Sequence, residues 1–175
     1  MDAIKDRLPA TLTTDRLVLT TPTLAHATDI ARLANNRRIY EVMSRLPFPY
    51  TEADARFFIE QIVPSAEELC YAILRGDTFM GIAGLTFADG QLPELGYWLG
   101  EPYWGHGYAT EAARAVVAAA REAVYPALRS RALLSNAGSR NVLAKVGFSE
   151  VGEDTAKAGT LAGQRVMQMR LEFAA

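Results

Sequence analysis

The sequence predicts an α+β fold: a single domain whose mixed, mostly antiparallel sheet of about seven strands is flanked by helices. Three observations predict it. Helical apolar spacing dominates the first third of the chain, after one short strand. Three alternating apolar runs with tight-turn residues between them follow, the pattern of sequential antiparallel strands. The remainder reads strand, helix, strand, strand, with a glycine-rich turn before a further long helix, so it contains one strand–loop–helix–strand unit.

Asp15–Thr20 (DRLVLT) alternates and reads as a strand ended by Pro22. Thr23 caps a helical stretch with Leu24, Ile30 and Leu33 on its apolar side, and Arg37–Arg45 forms a second helix stopped by Leu46-Pro47-Phe48-Pro49. Thr51 and Asp54 have capping-box spacing, opening a helix to Val63 with Ala55, Phe58, Ile59 and Ile62 on one face. Leu69–Leu74, Phe79–Phe87 and Leu92–Leu99 are three strands joined by Gly76-Asp77 and by a turn at Asp89-Gly90. A long Ala-rich helix runs from about Thr110 to Val124 and ends before Pro126. Arg129–Ser135 is a strand, and Ser139–Val146 is a short helix closed by Gly147. Phe148–Glu153 and Gln164–Phe173 are the last two strands.

A chain of 175 residues suits one domain, spanning residues 1–175. The formal net charge of −2 argues against non-specific nucleic-acid binding, which needs a basic face. The basic residues are mostly Arg, with Lys only at Lys5, Lys145 and Lys157; Arg forks suit phosphate, and a biased genome gives the same count. A lone cysteine, Cys70, excludes an internal disulfide framework and reads as a small buried apolar residue. His26 and His106 lack ligand-like spacing, so no metal site is expected. No segment approaches the ~18 apolar residues of a membrane span. Met1–Asp6 has no apolar stretch of the kind a secretory leader carries, and the expected compartment is the cytoplasm.

The chemistry concentrates in Glu94-Leu-Gly-Tyr-Trp-Leu-Gly-Glu-Pro-Tyr-Trp-Gly-His-Gly-Tyr-Ala-Thr-Glu111. A strand feeds a glycine-rich turn that opens a helix, and successive N–H groups at such a helix start favour anions. A turn that merely joins two elements is the alternative. A P-loop is excluded, because Gly107 is followed by Tyr108-Ala109 rather than Lys-Ser/Thr. A dinucleotide fingerprint is poorly matched: Thr110 replaces its third glycine, and Ser135-Asn136 stand where an acid is wanted.

Trp104-Gly-His-Gly-Tyr-Ala-Thr-Glu-Ala112 resembles the coenzyme-A pyrophosphate loop of the GCN5-related N-acetyltransferases, and Asn136-Ala-Gly-Ser-Arg-Asn-Val-Leu-Ala-Lys-Val-Gly-Phe148 resembles a second signature of their ribosomal-protein-alanine acetyltransferase-like branch. Thr14–Leu19 and Pro47–Asp54 resemble that branch's opening strand and first helical loop. The resemblance is specific over residues 94–148, the implied coenzyme-binding core, and weak after Val151. Trp104 stands where the wider superfamily often has Gln or Arg. Leu143 stands where many members carry a general-acid Tyr, and Ala144 where the branch often has Glu.

The resemblance implies transfer of an acetyl group from acetyl-CoA to a primary amine, a protein N-terminus or a small molecule, by direct attack and without a metal. It implies coenzyme contacts from Gly105, His106, Gly107, Tyr108, Ala109 and Thr110 at the loop. It further implies contacts from the strand at Tyr97, Trp98 and Leu99, where a bulge would aim an amide at the thioester carbonyl, and from Asn136 and Arg140. Glu94, which shares a strand face with Gly96 and Trp98, is the candidate base, directly or through water. Ser139 is the candidate donor to the leaving sulfur, and a helix cap is its alternative role. The acceptor region falls at about Asn35–Pro64, with Arg37, Arg38, Arg45, Phe48 and Tyr50 along it. A homodimer near the C-terminal strands is also implied. A non-catalytic acyl-CoA-binding or sensing module on the same fold is the competing function.

Overall fold

The computed structural model describes residues 4–174; Met1–Ala3, part of the N-terminal segment considered above, lie outside them. The elements are β1 (Thr11–Thr13), β2 (Val18–Thr20), α1 (Ala27–Ala34), α2 (Arg37–Tyr40), α3 (Glu52–Phe57), β3 (Glu68–Arg75), β4 (Thr78–Thr86), β5 (Glu94–Leu99), α4 (Tyr108–Glu122), β6 (Ala127–Leu133), α5 (Ala137–Lys145), β7 (Ser149–Thr155) and β8 (Arg165–Glu172). They form an α+β domain around one sheet of eight strands in the order β1-β2-β3-β4-β5-β6-β8-β7. Its neighbouring strands run antiparallel except β5 and β6, which are parallel.

The eighth strand is β1. The expected strand over Asp15–Thr20 starts only at Val18, because Thr14 Oγ1 accepts the Leu17 N–H at 3.0 Å and the Thr14 N–H reaches Leu17 O at 2.9 Å. That side-chain turn takes Asp15 and Arg16 out of the sheet and folds β1 back onto β2.

Two helices also differ from expectation. Leu24 lies in a single 3-10 turn before α1 and stays largely exposed, while Ile30 and Leu33 are buried. α2 stops at Tyr40 rather than Arg45. Beyond it, Ser44 O accepts the Thr160 N–H at 3.0 Å, and Arg45 reaches the buried Glu68 at 2.8 Å. These tertiary bonds replace the helix that propensity favours. The Thr51–Asp54 capping box forms, and α3 continues through a π turn over Phe58–Ile62.

Each face of the sheet carries its own core. Against one pack α4 and α5, with Ala112, Ala113, Val116 and Leu143 meeting Leu19, Leu85, Leu95 and Leu128. Against the other pack α1 and α3, with Ile30, Leu33 and Ala55 near Ala72, Phe79 and Trp98. α4 is the crossover that makes β5 and β6 parallel. Cys70 is buried in the second core, and burial pushes its thiol up to about 12.

Candidate active site

β5 and β6 are in register at Glu94↔Arg129 alone and then diverge. Pro93 O accepts the Arg129 N–H at 3.0 Å, and the buried Ser130 hydroxyl caps Leu95 O at 2.8 Å. Both contacts lie at the closed end of the split. Leu99 O accepts from the Trp104 indole at 2.7 Å, and Gly100 N–H reaches back to Met80 O at 2.8 Å. Strand alternation therefore turns the main-chain groups of Leu95, Tyr97 and Leu99 toward β6, and those of Gly96 and Trp98 toward β4. The split thus presents the polar backbone of Tyr97 to whatever enters it. The expected bulge is absent from the β4 pairing, whose register runs from Gly81↔Leu99 to Thr86↔Glu94 without a shift.

The glycine loop sits at the open end of this split. Gly105 and Gly107 both take φ +79°, a left-handed backbone that glycine adopts at little cost. Gly107 is the N-cap of α4 and brings no side chain to cap it. The first intrahelical bond comes from the Glu111 N–H to Gly107 O at 3.0 Å, so the N–H groups of Tyr108, Ala109 and Thr110 have no partner within the helix. Gly105, His106 and Gly107 are exposed, whereas the Tyr108 ring is buried. This is the arrangement an anion requires.

The structure brings Tyr97 and Ser139 together: their hydroxyls lie 2.9 Å apart. Burial pushes the Tyr97 phenol up to about 12, against the lowering effect of its hydrogen bond to Ser139, so it is neutral at physiological pH. Asn136 is the N-cap of α5, its Oδ1 accepting the Ser139 N–H at 3.1 Å. Leu143 is fully buried in the core. Trp98 packs at 6.2 Å from the Phe79 ring, so its side chain faces away from α5.

Glu94 and Arg140 are more heavily engaged than the sequence implied. Glu94 Oε2 meets Arg129 at 3.1 Å and Oε1 meets Arg131 at 3.2 Å. Arg140 is bound to Glu150 at 2.6 Å and to Leu134 O at 3.0 Å. Of the acceptor-region residues, Arg38 pairs with Glu101 and lies over the Trp104 ring, and Arg37 lies over Phe48. Arg45 joins Glu68, and Tyr50 is buried. Gly96 is exposed, and a Cβ there would meet nothing within 4 Å.

Arg16, Arg75, Arg129 and Arg131 were missed as site residues. Arg16 pairs with Glu111 at 2.7 Å and bonds His106 O at 2.9 Å; Arg75 bonds the Tyr108 hydroxyl. The usable signal for Arg16 was the turn-forming Thr14-Asp15 before it, but 95 residues separate it from Glu111. Among the described residues no group of His, Cys, Asp and Glu is placed to hold a metal ion, and no helix is long and apolar enough to cross a membrane.

Residues 16–149 match the acetyltransferase (GNAT) domain family. No curated protein matches the chain by sequence. Among solved structures, a RimJ from Mycobacterium smegmatis in complex with CoA-disulfide superposes with a TM-score of 0.84 at 19% identity, over 95% of this chain and 88% of that one. The microcin C7 self-immunity acetyltransferase MccE, in complex with acetyl-CoA and AMP, gives a TM-score of 0.81 at 20% identity, over 91% and 94%. The ribosomal-protein-S5-alanine acetyltransferase from Vibrio fischeri gives 0.79 at 15% identity, over 94% and 97%. With the split strands, the uncapped glycine loop and a match covering most of its length, this chain belongs to the GNAT acetyltransferase family.

Proposed function

We propose that the protein is a cytoplasmic acetyl-CoA-dependent N-acetyltransferase of the RimJ/RimL-like branch, moving the acetyl group to a primary amine, either a protein N-terminus or a small molecule. The observation that carries this is the divergence of β5 from β6 after Glu94↔Arg129, with uncapped N–H groups of the glycine loop at the open end. An anion fits those amides, and an extended chain with amide groups fits the unpaired backbone of Tyr97.

Acetyl-CoA, when bound, supplies a thioester whose carbonyl carbon is attacked by a neutral amine as the C–S bond breaks. Residues 105–110 hold the diphosphate, with the α4 dipole adding roughly 0.3–1 kcal/mol. Tyr97 and Leu99 pair with the pantetheine chain through their main chain. Trp98 supports the strand by packing, and Asn136 positions Ser139 through its cap. Ser139 hydrogen-bonds the departing sulfur. The Tyr97 and Ser139 hydroxyls share one hydrogen bond, and in the arrangement where Tyr97 donates, the Ser139 proton is free for that sulfur. Glu94 takes the amine proton through a water, because Arg129 and Arg131 hold its oxygens. Arg140 acts on the coenzyme phosphates only by charge, since Glu150 and Leu134 engage its guanidinium. The exposed edge strand β7 is the surface through which a homodimer would form.

Thermal unfolding with acetyl-CoA, CoA and 3′,5′-ADP tests the reading. Ligand at 100 times Kd adds about 2.7 kcal/mol, which for this length is a rise of about 5–10 °C. A rise with the first two, greater than with 3′,5′-ADP, and thiol release with an amine panel are expected. Binding without turnover across that panel would leave a non-catalytic acyl-CoA sensor. No rise at saturating acetyl-CoA would overturn both.

A further inference from the structure

The N-terminal turn and the start of α4 are joined by an unusually dense set of bonds. Glu111 accepts from the Thr14 hydroxyl at 2.5 Å, from the Arg16 N–H at 3.0 Å and from Arg16 Nε at 2.7 Å. The same guanidinium donates through Nη1 to His106 O at 2.9 Å and lies 4.4 Å from the centre of the Tyr108 ring. Its Nη2 passes Gly107 so closely that a Cβ there would lie 3.4 Å away. Arg75 bonds the Tyr108 hydroxyl. Thus one side chain from outside the crossover touches His106, Tyr108 and Glu111 and passes beside Gly107.

We propose that Arg16, locked by Glu111, is a positioning residue that presets the glycine loop for the coenzyme diphosphate; this rests on the function proposed above. The reason is the geometry of one peptide. In a trans peptide the C=O and N–H point in opposite directions. Holding His106 O against Arg16 therefore turns the Gly107 N–H away from Arg16. A loop with two left-handed glycines has many other conformations, and selecting one beforehand lowers the ordering cost that binding must meet. Glu111 holds Arg16 in place and so acts on the loop at one remove. Thr14 supports Glu111 and, through Leu17, anchors the turn to the sheet.

The test is calorimetric binding of CoA to the wild type, Arg16→Gln, Glu111→Gln and the double variant, with Arg32→Gln, whose exposed ion pair is with Asp29, as a control for loss of one positive charge. Acetyl-CoA kinetics are measured alongside. The expected result is a roughly tenfold rise in Kd and in the KM for acetyl-CoA for each single variant, with kcat and the amine KM falling or rising less than twofold. The double variant is expected to be no weaker than the poorer single one, since both break one latch. Arg16→Lys, which keeps the charge but offers a single donor group, recovers only part of the affinity. A variant that unfolds at the assay temperature is replaced by Thr14→Val, expected to raise Kd about threefold. Unchanged Kd in the variants, or additive losses in the double one, overturns the latch while leaving the acetyltransferase reading in place. Absence of CoA binding by the wild type overturns both.

Discussion

The Tyr97 hydroxyl lies 2.9 Å from the Ser139 hydroxyl, linking β5 to the first turn of α5 across 42 residues. This pair places a neutral phenol behind a serine at the split between β5 and β6, while Leu143, further along α5, is buried in the core. Ser139→Ala is expected to lower kcat by about 10²-fold, within the range of acid catalysis. Tyr97→Phe is expected to lower it less, about tenfold, and to cost about 1 kcal/mol of stability. Steady-state kinetics and urea unfolding check both; equal wild-type kcat in Ser139→Ala would remove the serine from the mechanism.

Glu94→Gln keeps the shape of the side chain but removes the charge that Arg129 and Arg131 face. If it accepts the amine proton through water, kcat is expected to fall about 10²-fold with the acetyl-CoA KM unchanged. A loss of stability with full turnover would make the carboxylate a fastener between β5 and β6 instead.

Two glycines of adjacent strands separate packing from function. A Cβ on Gly84 would lie 1.9 Å from Leu69 O, so Gly84→Ala must push β3 from β4. A loss of roughly 3 kcal/mol or more is expected, a melting drop of about 6–12 °C. Gly96→Ala meets open space and is expected to hold or raise stability by about 0.5 kcal/mol. Its methyl would stand between Glu94 and Trp98 on the face opposite α4, and kcat/KM for the amine is expected to fall. Melting curves and amine kinetics of the two variants measure the contrast.

His26 sets an acid limit on stability. Burial lowers its pKa below the ordinary 6.5, against the raising effect of Asp29. Its Nδ1 accepts the Thr23 N–H at 3.0 Å, and its ring stacks on Phe79 at 5.6 Å. The unfolded chain therefore takes up this proton before the folded one does. The resulting stability is present above 6.5 and is lost as pH falls through the lowered folded value. Melting temperature is expected to fall between pH 7 and 5, and less steeply in His26→Gln.

Glu111 adds a second, more acidic limit. Burial raises its pKa, but the bonds from Thr14 and Arg16 outweigh that, and the net shift is downward from 4.5. Its contribution is present above 4.5 and is lost as pH falls through the lower folded value. Glu111→Gln is expected to flatten the wild-type stability loss below pH 4.5 in acid titrations followed by circular dichroism.

Much of the fold was legible because its signals are local. The Thr51–Asp54 box, the turn at Gly76-Asp77 and the glycine before α4 each express a backbone preference of a few neighbouring residues. Where local preference misled, a distant partner intervened. α2 stops early where Ser44 is bound by Thr160 and Arg45 by Glu68. Asp15 and Arg16 leave the strand because Thr14 forms a turn with Leu17.

From the sequence alone came most of the order of helices and strands, β1 excepted, and the strand–glycine loop–helix–strand unit at its centre. Those depend on periodicity, turn chemistry and short motifs, whose energies act within a few residues. Which side chains meet depends on the folded sheet: Arg16 with Glu111, Tyr97 with Ser139, Glu94 with Arg129 and Arg131. So does the parting of β5 and β6 after a single pair. These relationships depend on strand register and on how the crossover closes, so groups 35 or more residues apart arrive within hydrogen-bond reach only once the whole sheet has formed.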